Sequence, residues 1–309
     1  MKIRSILAVT DFSPAGGRAV ERAAQLAVAH GAELRLLHLP PHAGAPPADA
    51  PRRLAHTARE LRLRLAIEAS AAGSSAESVR EVAAAAVSAD LLVLAPQRGH
   101  WLADQWLGSA AVRLSRLCRC PVLAVRLPAR RHYARILAAI DLTPASRQLA
   151  GLAWRFDEEA EVELFHALGG PSEARLRSAE VSERAIRAYQ QDSLRDARHR
   201  MLGLADSFDT RRNRVFSAIG RGDPARQAVV QQEFAGADLL MVGRRRNAPI
   251  ADFLFGSVAR RVLERAACDV LIVPEDCRQA SRNAARQRIA ADRADARGAW
   301  TAIRERPSS

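Results

Sequence analysis

Short runs of valine, leucine and isoleucine alternate along this chain with longer segments in which apolar residues recur at helical spacing. In the first part of the chain the runs are Ile3 to Val9, Leu34 to Leu39, Leu65 to Ala69, Leu91 to Ala95 and Val122 to Val125. Between them lie Ala15 to Gly31, Ala50 to Leu65, Ala76 to Ala89 and Ser109 to Cys118, each with the pattern of an amphipathic helix. Apolar runs without polar alternation predict strands covered on both faces, and helices between such strands predict parallel crossovers. The fold class that follows is α/β, a doubly wound domain with a five-stranded parallel sheet.

The pattern then repeats. "VTDFSPA" (Val9 to Ala15) is matched by "AIDLTPA" (Ala139 to Ala145) at an offset of 130, and "AELRLLHL" (Ala32 to Leu39) by "AEVELFHAL" (Ala160 to Leu168) at 128. "ADLLVLA" (Ala89 to Ala95) is matched by "ADLLMVG" (Ala237 to Gly243), and "CPVLAV" (Cys120 to Val125) by "CDVLIV" (Cys268 to Val273), both at 148. Four matches in one order define a duplication. The growth of the offset by 20 predicts a longer helical segment in the second copy, within Ser172 to Phe208. The expected organisation is a first domain over 1–127, a linker over 128–135, a second domain over 136–277 and a basic tail over 278–309. The tail carries eight arginines against Asp292, Asp295 and Glu305 and has no apolar run, so frayed helix or disorder is expected there.

Composition narrows the function. The 309 residues are 48% hydrophobic, and no apolar run approaches the roughly 18 residues of a membrane span, so no membrane partner is expected. The opening residues are too short for a secretory core, and a cytoplasmic location is expected. The net charge is +13, yet Lys2 is the only lysine. Scattered arginine without an aromatic and basic reader motif gives no reason to expect sequence-specific nucleic-acid binding. Cys118, Cys120, Cys268 and Cys277 lack paired zinc or redox spacing and read as buried, reduced thiols.

In an open parallel sheet the ligand crevice lies beyond the carboxyl ends of the strands, where the strand order reverses. The residues there are Asp11 with Ser13, Leu39, and Ala95 to Ser109 in the first copy. In the second they are Asp141 with Thr143, Ala167, and Gly243 to Ser257. Ser13 and Thr143 each precede a proline and read as helix N-caps. Asp11 and Asp141 suit either a ribose hydroxyl or adenine amine, or a local Asx-turn. Ser109 and Ser257 follow a glycine where the fourth helix of each copy is expected to start, a geometry that serves a cap and a phosphate equally. His38 and His166 lie in apolar strands without acidic or cysteine neighbours and read as core histidines. No Ser-His-Asp elbow, zinc pattern or loop lysine is present, so no enzymatic activity is expected.

Taken together, "ILAVTDFS", "LLHL", "ADLLVLA", "LGS" and "CPVLAV", repeated as "ILAAIDLT", "LFHAL", "ADLLMVG", "FGS" and "CDVLIV", resemble the universal stress protein family in its tandem-domain form. The resemblance implies a stress-response protein and, in the ATP-binding members, a loop of the form Gly-x2-Gly-x9-Gly-(Ser/Thr) after the fourth strand. Laid on the second copy, that loop falls on Gly243, Arg246, Gly256 and Ser257; on the first it falls on Ala95, Arg98, Gly108 and Ser109. Both copies carry arginine at the second glycine, and Pro96 removes a backbone N–H from the first loop. ATP, with only its associated magnesium, is therefore expected in the second domain before the first. Arg244, Arg245 and Arg246 leave open a guanidinium grip on phosphate. The alternative is a protein-interaction module that has lost nucleotide binding, its partner unidentified. The family dimerises through its fifth strand, which implies an internal pseudo-dimer of the two domains here, or a homodimer of such chains.

Overall fold

The computed structural model describes residues 2–40, 47–71, 75–96, 110–169, 182–208, 215–244, 252–275 and 277, without the side chains of 215 and 252–257. The first copy runs β1 (Ser5–Thr10), α1 (Pro14–His30), β2 (Glu33–His38), α2 (Ala50–Leu65), β3 (Ala69–Ala71), α3 (Val79–Ala85), β4 (Leu91–Leu94), α4 (Ala110–Leu117) and β5 (Val122–Ala124). The second runs β6 (Arg135–Ala139), α5 (Pro144–Phe156), β7 (Glu161–Leu168), α6 (Glu183–Asp206), β8 (Val215–Arg221), α7 (Pro224–Ala235), β9 (Leu239–Arg244), α8 (Asp252–Arg265) and β10 (Asp269–Pro274).

The strands form one ten-stranded sheet in the order β3-β2-β1-β4-β5-β10-β9-β6-β7-β8. All neighbours are parallel except at the centre, where β5 meets β10 antiparallel with Leu123 opposite Leu271. Each half is thus the five-stranded parallel unit that the hydrophobic runs predicted, and the two fifth strands cover one another. An apolar strand edge needs such a partner, and every residue of β5 and β10 is buried. The antiparallel join also makes the carboxyl ends of the parallel strands point to opposite rims of the sheet in the two halves.

Local sequence explains most boundaries. Helix α1 starts at Ser13, whose hydroxyl accepts from the Gly16 amide, with Pro14 in its first turn. It stops at Gly31, which takes the left-handed φ of 59° that ends many helices. Its buried stripe, Ala19, Val20, Ala23, Ala24 and Ala27, packs on the sheet. The strand expected from Leu65 to Ala69 begins only at Ala69. Leu65 continues the inward row of Leu54, Ala58 and Leu61, and the turn after it is made by Ala66 at φ 53°, so no glycine marks the stop. The longer helical segment of the second copy is α6, which buries only Ala197, Met201 and Leu204.

Aspartates tie the strand starts together. Asp90 Oδ2 accepts the amides of Arg4 (2.9 Å) and Ser5 (3.2 Å) before β1. Its counterpart Asp238 accepts those of Ala134 (2.9 Å) and Arg135 (3.0 Å) before β6. A third, Asp269, is completely buried and belongs to the joint between the copies. Its Oδ1 accepts the amides of Arg126 (2.7 Å) and Leu127 (2.9 Å). Its Oδ2 accepts the Tyr133 hydroxyl at 2.8 Å and faces Arg22 Nε of α1 at 3.4 Å. Arg22 also donates to the carbonyl of Arg130 at 2.9 Å and lies over the Tyr133 ring, 4.1 Å from its centroid.

This joint has a pH signature. Burial, then the charge of Asp269, pushes the Tyr133 phenol well above its usual range. A tyrosine raised in the folded state contributes stability that is complete below the unfolded value of about 10 and is lost as pH rises beyond it. Urea unfolding followed across the alkaline range is expected to show that loss. Tyr133→Phe should flatten it, while costing about 1.5–3 kcal/mol at neutral pH for the lost bond to a charged acceptor.

Candidate functional site

Both copies place an aspartate at the end of the first strand, and both aspartates organise the turn that follows. Asp11 Oδ1 accepts the amide (2.9 Å) and the hydroxyl (2.5 Å) of Ser13. Asp141 Oδ1 accepts the amide of Thr143 at 3.1 Å, its hydroxyl at 2.6 Å and the Ser146 hydroxyl at 2.9 Å. The Asx-turn reading therefore describes these residues in the structure. The intervening residues, Phe12 and Leu142, take left-handed φ values of 61° and 57°. Gly16 stands where the second copy has Ser146, and a Cβ there would come within 2.4 Å of Asp11 Oδ1, so the first turn needs the bare backbone. Thr143 occupies the N-cap position of α5 but its hydroxyl accepts no cap bond; the Ser146 amide donates to the Thr143 carbonyl at 2.9 Å instead.

In the second half this turn borders a crevice at the carboxyl ends of β6, β9 and β10, the reversal point of the strand order. The crevice is shallow, about 50 Å³ and open to solvent, and its walls include Asp141, Ser146, Gln148, Gly243, Arg244 and Glu275. Two of the expected residues, Asp141 and Gly243, thus meet in one place. Gly243 presents bare main chain, and a Cβ added there would touch only Leu149 Cδ2, at 3.8 Å. Ser146, Gln148 and Glu275 escaped the sequence reading, which took residues directly after strands one, two and four. The first two lie in the first two turns of α5 and the third follows the fifth strand. Arg244 reaches across the central join, donating to the Cys118 carbonyl at the end of α4 at 3.2 Å.

Ala167 is not part of this crevice. It was expected just beyond the second strand, but β7 runs on to Leu168, paired residue by residue with the long β8, so Ala167 is half-buried inside the strand opposite Gly220. Gly256 and Ser257 lie within α8, which starts at Asp252, so Ser257 is not at the helix start. Arg246, Arg98, Gly108 and Ser109 fall outside the described residues.

In the first half, Leu39 follows β2 and is buried, its amide bonded to the Thr10 carbonyl at 3.0 Å. A separate cavity of about 240 Å³ opens between α1 and α2, lined in part by Thr10, Phe12, Ser13 and Arg53. Phe12 is held between the His38 ring, 4.5 Å away and stacked, and the Arg53 guanidinium, 3.9 Å from its centroid. His38 is buried and bonds Ser75 Oγ through Nδ1 at 3.0 Å. Burial holds it below its usual pKa, as the core reading anticipates. His166 Nδ1 donates to the Ile140 carbonyl at 2.8 Å. All four cysteines are free and buried. Among the described residues no cluster of His, Cys, Asp or Glu is arranged to hold a metal ion, and no helix is long and apolar enough to cross a membrane.

A doubly wound five-stranded sheet built twice in one chain defines a tandem α/β protein, with a crevice at the strand-order reversal of its second half. The chain belongs to the universal stress protein family, whose profile matches residues 2–126 and again 132–274. Universal stress proteins of Mycobacterium tuberculosis and Mycobacterium bovis are 30% identical over 194 residues, covering 60% of this chain. The match spans 61% of the length of those relatives. Among solved structures, a functionally unknown protein from Pseudomonas aeruginosa aligns over 92% of this chain and 98% of its own, with a TM-score of 0.66 at 20% identity. A universal stress protein from Archaeoglobus fulgidus aligns over 87% and 96%, with a TM-score of 0.62 at 17% identity. At these identities the two structures establish the fold.

Proposed function

We propose that this is a cytoplasmic, non-catalytic stress-response protein that binds an adenine nucleotide weakly in its second half. The organisation proposed with it is one of two domains, 1–127 and 136–277, joined by the 128–135 linker and followed by a basic tail. The observation that carries the reading is the open crevice where Asp141 and the bare backbone of Gly243 meet at the reversal point. In the first half the corresponding positions are Asp11 and Ala95-Pro96, which offer a Cβ and a missing N–H in place of that backbone. ATP is accordingly assigned to the second domain before the first, with magnesium only as the nucleotide's own counterion. The alternative, an interaction module without nucleotide, is favoured by Arg244, which spends its guanidinium on the Cys118 carbonyl.

Isothermal titration of the full chain with ATP and magnesium separates the two. A saturable heat is expected, weakened about tenfold by Asp141→Ala, as for loss of one hydrogen bond in a polar site. Gly243→Ala should weaken it by a similar factor, yet leave thermal stability unchanged or slightly raised, since the added methyl meets open space. No heat at millimolar ATP, from protein purified free of nucleotide, would leave only the interaction module standing.

A further inference from the structure

Strand β8 ends the sheet, and among the described residues no strand pairs with its outer side. The Gly222 amide donates to the Leu168 carbonyl of β7 at 2.7 Å. In a parallel ladder alternate residues face the same neighbour, so the even-numbered residues of β8 turn to β7. The main-chain N–H and C=O groups of Ser217, Ile219 and Arg221 therefore turn outward. The opposite edge, β3, is three residues long and offers little to a partner, whereas β8 has seven residues and no proline.

A groove of about 570 Å³ opens beside this edge, between β8 and α6. Leu194, Met201 and Ile219 supply apolar wall, Arg198 and Arg221 supply charge, and among the described residues no carboxylate lines it. The groove exists because the second copy carries the longer helix, whose inward stripe at Ala197, Met201 and Leu204 leaves Leu202 59% exposed. Unpaired strand amides call for another backbone, apolar hollows call for side chains at alternate positions, and paired guanidinium groups call for carboxylates.

The geometry points to a docking site for an extended acidic segment of a partner protein, which adds to β8 as an eleventh strand and sets its carboxylates against Arg198 and Arg221. The chain's own tail is the wrong occupant, since its eight arginines oppose the charge of the groove. A single-stranded RNA would satisfy the arginines but neither the edge amides nor the apolar wall. This site is separate from the crevice at Asp141 and stands whether or not nucleotide binds there.

The test uses the full chain and a fluorescein-labelled heptapeptide of alternating glutamate and valine, read by fluorescence anisotropy. Saturable binding is expected, with little binding of the matching lysine and valine peptide. Arg198→Glu combined with Arg221→Glu should weaken it about tenfold, and both residues are exposed enough for the fold to tolerate the change. N-methylation of alternate amides in the peptide should abolish binding without touching the protein, which isolates the strand-pairing contribution. Binding that survives N-methylation would overturn the proposal. So would competition by a uridine 20-mer that binds tighter than the peptide, or light scattering showing that β8 is closed by a second copy of the chain. Absence of peptide binding would overturn it equally.

Discussion

Asp269→Ala is expected to lower the stability of the folded chain by about 3–5 kcal/mol, the range for breaking a buried ion pair by removing one partner. The substitution leaves Arg22, 2% exposed, with its guanidinium facing an empty space, and strips acceptors from the Arg126 and Leu127 amides and the Tyr133 hydroxyl. Burial pushes the Asp269 carboxyl up, opposed by those two amides, the phenol and Arg22, so the charge is held by its partners. Urea unfolding measures the loss as a shift in midpoint at constant slope. The joint replacement Arg22→Met, Asp269→Leu and Tyr133→Phe should be far less harmful than the single change, because it leaves no buried charge behind. A single change costing less than about 1 kcal/mol would mean that water reaches the joint and the network is not buried in solution.

The second large effect is expected at Phe156. This ring ends α5, is 1% exposed, and meets Tyr133 at 6.0 Å and His30 of the first copy at 6.1 Å between ring centroids. Truncation to alanine should cost about 3–5 kcal/mol, the transfer and cavity terms of a buried aromatic. Since Phe156 and Asp269 both hold Tyr133, the double substitution should cost less than the sum of the two, by about 0.5–3 kcal/mol. The halves share one sheet and this joint, so each variant should still unfold in a single transition by circular dichroism. Two resolved transitions would show that the copies melt independently.

Much of the architecture was readable from the chain because it was written twice. The pairs "ADLLVLA" and "ADLLMVG" located β4 and β9, and their aspartates turn out to grip the strands beside them through backbone amides. Ser13 with Pro14 announced α1, and Asp141 and Gly243 were placed at the crevice by strand order alone. What escaped were features with no local mark. Ala66 reverses the chain without glycine, so β3 was read four residues early. Ala167 was read as lying past a strand whose length is set by its neighbour β8. Gln148 and Glu275 belong to the crevice through tertiary placement, which periodicity does not carry. Arg22 and Asp269 escaped for another reason: their positions in the other copy are held by Leu152 and Pro121, so no repeat drew attention to them.

That last mismatch has an evolutionary side. When two identical subunits associate about a twofold axis, any substitution is imposed on both, and an arginine placed beside the axis arrives with its own double. Joining the subunits by a linker lifts that obligation. Arg22 and Asp269 are a lock with one key on each side, which no pair of identical chains can make just once, and each half of the molecule is thereby released to change without its twin.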